Sequence, residues 1–286
     1  MQNPYTIYTR QMNRTRVSFP MLTLLALLLS STLNGQKISV NVGHKVILYS
    51  TILQENRSLL IHLPENYEES NKSYPVLYRL DGSSDIMLET IVASNRLTYS
   101  DEISPEMIIV SIENTNRAKD MWPTNTEYYP EPNIPGAKDF LGFLETELIP
   151  FMEGNYKTGQ EKIICGQSLS GVFVLYALLS KPEIFDSYIV CSGGFPSCEE
   201  FFNALYNTAF QQAEKLHGKE VFITQGLKDP LDPEGIIHQQ MLNFSDTIRK
   251  NIGHSISYKY SIYEHEGHVP FHSLYDGLKF IYETKN

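Results

Sequence analysis

The stretch from Lys162 to Ser180, KIICGQSLSGVFVLYALLS, limits what this chain can fold into more than any other. A short apolar run, Ile163-Ile164-Cys165, leads into a tight turn, Gly166-Gln167-Ser168-Leu169-Ser170-Gly171, and then into an apolar helical segment from Val172 to Leu179. A strand that passes straight into a helix, with a serine at the tip of the turn, is a nucleophile elbow. The turn lifts the Ser168 hydroxyl off the end of the sheet. The helix that follows aims its unpaired N–H groups at the place where negative charge would develop. The backbone is crowded in such a turn, so small residues are needed two before and two after the serine. Gly166 meets that need; Ser170 stands where glycine is usual, with Gly171 next. A G-x-S-x-S string also arises by chance in turns and at helix N-caps, so the flanking strand and helix carry the reading.

The rest of the chain supplies matching elements. Extended segments are expected around 46–48 and 58–63, strands at 74–80, 107–112, 187–191, 220–224 and 255–263, and helices at 86–94, 138–151, 198–216, within 235–250, and at 271–284. Met107-Ile108-Ile109-Val110-Ser111-Ile112 is continuously apolar, as a strand covered on both faces must be. Residues 113–135 read as a long polar loop, and loops of that length are often functional. Strands alternating with helices predict an α/β fold with a mostly parallel central sheet and helices on both faces. The 286 residues suit one large domain.

Arg10, Arg14 and Arg16, an apolar run from Met21 to Leu29, and small polar residues to Gly35 describe a secretory signal peptide over residues 1–35, with residues 36–286 as the enzyme domain. The apolar run is too short to span a bilayer comfortably. A periplasmic or secreted protein with no stable membrane span after cleavage is the expectation. The net charge of -10 argues against nucleic acid, which needs basic surface. Three cysteines do not suggest a disulfide framework, and Cys165 and Cys191 read as core residues of buried strands.

A serine hydroxyl needs a general base, and the base needs an orienting acid. Sites in open α/β sheets gather at the carboxyl ends of strands. After strand 220–224 come Asp229, Asp232 and Glu234; Asp229 falls where the acid belongs, with Asp232 and Glu234 as rivals. After strand 255–263 come His265 and His268, then His272. His268 is read as the base because it follows Gly267 and starts the turn into the last helix, with His265 as its rival. The His265-x-x-His268 pair lacks an evident third ligand, so no metal and no organic cofactor are expected. The oxyanion hole needs two backbone N–H groups. Leu169 supplies one, and Gly82 or Ser83, after strand 74–80, supplies the other; a plain Asp81-Gly82 turn is the alternative.

Several segments, in order, then resemble the family of α/β-hydrolases called "Putative esterase", which takes in esterase D and siderophore-esterase-like enzymes. They are Pro75-Val76-Leu77-Tyr78-Arg79-Leu80-Asp81-Gly82, Ile112-Glu113-Asn114-Thr115-Asn116-Arg117-Ala118-Lys119-Asp120, Phe140 to Tyr156, the elbow, and Leu274-Tyr275-Asp276-Gly277-Leu278-Lys279-Phe280. The resemblance implies the α/β-hydrolase fold and a secreted serine esterase that works through an acyl-enzyme. Ser168 is then the nucleophile, Asp229 the acid, and the base a histidine at 265–268. The implied substrate is a small-molecule or oligosaccharide ester, siderophore-like or a carbohydrate acyl ester. An acyltransferase, or a non-catalytic binding protein on the same scaffold, is the alternative. Arg117 and Asp120 resemble a feature that the family carries near the site; a structural ion pair between them is the reading ranked first.

Overall fold

Alternation of side chains along the strands sets the layers of this molecule. In β4 (Ile108–Glu113), Ile108, Val110 and Ile112 pack into one apolar cluster, while Ile109 packs into another on the opposite face. The same division runs through β3 (Tyr74–Gly82), where Val76 and Tyr78 face one way and Leu77 the other. Both faces are therefore buried, and the strands read as continuous apolar runs for that reason.

The computed structural model describes residues 39–195 and 198–285. The expected signal peptide lies outside the described residues. Val42–Asn286 forms one compact unit. Its eight-stranded sheet has the order β1-β2-β4-β3-β5-β6-β7-β8. The remaining strands are β1 (His44–Ser50), β2 (Glu55–His62), β5 (Thr158–Gln167), β6 (Ser187–Cys191), β7 (Glu220–Gly226) and β8 (Ser257–Tyr263). β2 is antiparallel to β1 and β4; β4, β3, β5, β6, β7 and β8 run parallel. The parallel sheet with helices on both faces is the architecture expected from the sequence.

Helices α1 (Ser84–Asn95) and α8 (Ser273–Glu283) cover one face, through Met87, Leu274, Leu278 and Ile281. The other face is covered by a helical stretch from Ala137 to Asn155, by α5 (Leu169–Ser180), by α6 (Glu199–Gln211) and by α7 (Ile236–Ile252). That stretch comprises α3 (Ala137–Phe143), a π-helical segment and α4 (Ile149–Asn155). α5 is apolar all round because it is buried nearly all round: Val172, Phe173, Val174, Leu175, Ala177, Leu178 and Leu179 are inaccessible to solvent or nearly so. A buried helix at the centre of the fold gives the elbow a stiff foundation. Among the described residues no helix is long and apolar enough to cross a membrane. Cys165, Cys191 and Cys198 are all buried free thiols.

Residues 113–135 differ from the polar loop expected. Arg117–Met121 forms a short helix, α2, capped by Asn116, whose side chain accepts from the Lys119 N–H. Thr126 and Tyr129 then form a small antiparallel bridge. Asp120, Met121 and Trp122 are buried. The expected Arg117–Asp120 pair does not form. Asp120 accepts from the fully buried Arg57 of β2, and Arg117 pairs with Asp81. Each partner is distant in sequence, so local pattern carries no sign of either pairing.

Candidate active site

The parallel strands end on one edge of the sheet, and three of them end in a strained residue. Asp81, Ser168 and Ser192, at the carboxyl ends of β3, β5 and β6, have φ of 58°, 54° and 53°. A side chain in this region costs about 1–3 kcal/mol and persists only where its surroundings hold it. The backbone of Ser168 is held from both sides. Its N–H donates to the Cys191 carbonyl on the neighbouring strand (2.8 Å), and its carbonyl accepts from Val172 N–H in the first turn of α5 (3.1 Å). Gly166 is required here, since a Cβ at that position would lie 2.4 Å from the Ser170 carbonyl oxygen.

His268 meets this serine across the end of the sheet. Its Nε2 lies 2.7 Å from Ser168 Oγ, and its Nδ1 lies 2.6 Å from Asp229 Oδ2. An ionised carboxylate can only accept, so Nδ1 carries the hydrogen and Nε2 is left to accept the serine proton. Asp229 is oriented in turn, because its Oδ1 accepts from Leu231 N–H (2.8 Å). The loop bearing His268 packs tightly on the end of β7: a Cβ on Gly226 would fall 1.9 Å from the Gly267 carbonyl oxygen. Lys228 N–H also donates to the Glu266 carbonyl (2.9 Å).

The rivals go elsewhere. Asp232 accepts from Ile237 N–H (3.0 Å) and His238 N–H (2.8 Å), so it caps the start of α7. Glu234 and His265 are exposed. His272 is exposed at the start of α8, its ring against that of Phe271. Leu169 lines the cavity in front of Ser168. Gly82 ends β3 hard against the Ile112 backbone, and the Ser83 hydroxyl caps α1 by accepting from Ile86 N–H (3.2 Å). The Ser83 side chain is thus engaged in the cap, which leaves backbone N–H groups as what this turn can offer an oxyanion.

Ser170, in the usual glycine position, is wholly buried and joins a polar network. Its Oγ lies 2.6 Å from Asp81 Oδ2 and accepts from Gln167 N–H (2.7 Å). Arg117 donates to both oxygens of Asp81, from Nε to Oδ1 (2.6 Å) and from Nη2 to Oδ2 (2.9 Å), and Nη2 also reaches the Gln167 carbonyl (3.1 Å). Asn114 donates to Asp81 as well (2.8 Å). Burial alone would raise the Asp81 pKa; the hydrogen bonds from Arg117, Ser170 and Asn114 outweigh it and hold the carboxyl below its ordinary value. The sequence signs of this network are the serine in a glycine's place and the resemblance of Arg117 to a family feature near the site; the pairing with Asp81 is not among them.

The cavity in front of Ser168 holds about 270 Å³. One wall is Trp122 and Tyr128, stacked with ring centroids 6.4 Å apart and planes 6° from parallel. Both come from the segment expected as a polar loop.

Comparison with known proteins bears on the family and the fold. The sequence profile of the family described as "Putative esterase" matches residues 50–265. The chain is 33% identical over 136 residues to the ferri-bacillibactin esterase BesA of Bacillus subtilis, covering 42% of this chain and 47% of that protein. It is 27% identical over 149 residues to a siderophore enterobactin esterase of Emericella nidulans, covering 45% and 48%. The chain spans about half the length of these curated relatives. Among solved structures, an IroE-like serine hydrolase from Shewanella oneidensis superposes with a TM-score of 0.76 at 27% identity, covering 84% of this chain and 80% of that one. The fold is the α/β-hydrolase fold.

Proposed function

Because the chain belongs to the "Putative esterase" family, we propose that it is a serine carboxylic-ester hydrolase that works through an acyl-enzyme, with Ser168, His268 and Asp229 as its triad. The observation that carries this reading is the relay of two short hydrogen bonds, 2.7 Å from His268 Nε2 to Ser168 Oγ and 2.6 Å from Nδ1 to Asp229 Oδ2. His268 takes the serine proton as Oγ attacks the ester carbonyl. Asp229 keeps the ring in the tautomer that can accept it and stabilises the imidazolium that results. The N–H of Leu169 and one from the Gly82–Ser83 turn receive the oxyanion. His268 then protonates the leaving alcohol. A water, deprotonated by the same ring, cleaves the acyl-enzyme and regenerates Ser168.

The relatives support a choice of substrate class. Their names point to siderophore esters, and a small ester of that kind is the reading favoured for this chain over a carbohydrate acyl ester. Residues 1–35 act as an export signal in this reading, which places the enzyme in the periplasm or outside the cell. Hydrolysis of p-nitrophenyl acetate by the wild type, its loss in Ser168→Ala, and labelling of Ser168 by a serine-directed phosphonate test the assignment. A wild type that neither turns over the ester nor takes the label sinks it.

A further inference from the structure

The cavity that holds the reacting serine is also lined by a polar group that the mechanism does not use. Gln225 is the penultimate residue of β7, lines the cavity and is 3% exposed. Its Oε1 is already occupied, accepting from Tyr260 OH (2.5 Å) and facing His238 Nδ1 (3.2 Å). These partners come from β8 and α7 and fix the carboxamide plane. Its Nε2 has no acceptor among the described residues. Ser192, at the strained end of β6, lies on the same cavity and is 8% exposed; its Oγ also has no partner among the described residues. A buried hydroxyl left unpaired, as Ser192 Oγ is, costs about 1–3 kcal/mol, and natural proteins seldom tolerate it without a use. Around these two groups the cavity is apolar: Trp122, Tyr128, Val172, Leu231 and Ile237 face it. Among the described residues the lining contains no lysine or arginine, and Asp229 is its one carboxylate.

On the reading that this site hydrolyses esters, we propose that Gln225, assisted by Ser192, is a specificity subsite that selects an uncharged ester whose apolar part bears a hydrogen-bond acceptor. The apolar walls take the body of the group. The fixed Nε2–H of Gln225 donates to the acceptor. An anionic substituent meets no cation in the lining and a carboxylate of the same sign beside it, in a cavity where charge is poorly screened.

Matched ester pairs test this. One series varies the acyl group, as p-nitrophenyl methoxybenzoates against ethylbenzoates. The other varies the alcohol, as methoxyphenyl against ethylphenyl acetates, each with 3- and 4-substituted isomers. Methoxy and ethyl have nearly the same shape, so the ratio of their kcat/KM values reads the acceptor, and the electronic difference cancels between enzyme variants. In at least one series the wild-type ratio is expected to fall about ten-fold in Gln225→Met and by a smaller factor in Ser192→Ala. Gln225→Glu keeps an oxygen for Tyr260 but replaces the donor with an acceptor, so it is expected to lower the ratio at least as far. Thermal unfolding confirms that each variant is folded. An ester carrying a free carboxylate is expected to be turned over at least about ten-fold less well than its methylated counterpart. Ratios unchanged in every series by all folded variants overturn the subsite, and equal turnover of the carboxylate overturns the exclusion of charge. A wild type that hydrolyses none of these esters counts instead against the hydrolase assignment.

Discussion

Ser168 and His268 face each other across one hydrogen bond, but the two sides of that bond are held in different ways. On the serine side, Asp81, Asn114, Arg117, Gln167 and Ser170 form a net of charged and neutral hydrogen bonds joining the ends of β3, β4 and β5. On the histidine side, the ring makes side-chain hydrogen bonds to Asp229 and to Ser168, and its loop rests on β7 through backbone contacts. The serine is thus placed redundantly, at a residue whose backbone is strained. The histidine ring is placed by one carboxylate. Substitutions on the histidine side should therefore act on chemistry with little cost in stability. Substitutions on the serine side should act on stability and geometry together.

The largest effect expected is that of Ser168→Ala, which removes the bond-forming atom. A loss of about 10⁵ or more in kcat is expected, with substrate affinity nearly kept. His268→Ala comes next, at about 10⁴, because the serine loses its base; His265→Ala should stay within about two-fold of wild type. The reverse pattern for the two histidines would move the base. Asp229→Asn should cost about 10²–10⁴ in kcat by favouring the wrong tautomer. Asp232→Asn is its natural control. Asp232 binds two N–H groups at the start of α7, so its replacement should cost about 1 kcal/mol or less of stability and leave kcat nearly unchanged. Steady-state kinetics and denaturant midpoints on the same samples separate these outcomes. If Asp229→Asn unfolds the protein while Asp232→Asn silences it, the contrast between the two sides fails.

The two sides also differed in how far the sequence revealed them. Strand–loop order ranked Asp229 and His268 ahead of their rivals, because in this architecture each sits just after a strand with a recognisable apolar run, and the structure joins both to Ser168 in one chain of hydrogen bonds. The elbow stood out for the same reason. What stayed hidden depends on pairs distant in sequence. Arg117 and Asp120, three residues apart, turn to different partners, Asp81 and Arg57, which lie on other strands. Strand order sets those partners, and no local period encodes it. Trp122 and Tyr128 looked like members of a polar loop, because the short helix that buries Trp122 is anchored by Asp120 reaching across to Arg57. Gln225 fell just past the expected strand 220–224, and the role proposed for it depends on a cavity that only the assembled loops create.

Ser170 tests the serine side directly. Ser170→Ala keeps the small size the turn needs but removes the hydroxyl between Asp81 and Gln167. The loss of one buried hydrogen-bond link should cost about 1 kcal/mol. Because that link sits two residues from the nucleophile, kcat should fall about ten-fold with KM little changed. A variant that loses the stability and keeps full kcat would show that the net braces the fold without positioning Ser168.

The smallest effect lies in the acid limb of stability and belongs to Asp81. Its folded pKa is held below the ordinary carboxylate value, against the push of burial, by Arg117, Ser170 and Asn114. An acid whose pKa is lower folded than unfolded stabilises the folded state where it is ionised. That contribution is complete above the unfolded value, about 3.9, and is lost as pH falls through the depressed folded value. Asp81→Asn should therefore be less stable than wild type at pH 7, and the gap should narrow steadily once the pH drops below about 4. Urea midpoints taken between pH 7 and pH 3 measure it. A gap that stays constant over that range would mean that the charge of Asp81 does not anchor the net, and that its shape and hydrogen-bonding capacity hold the elbow instead.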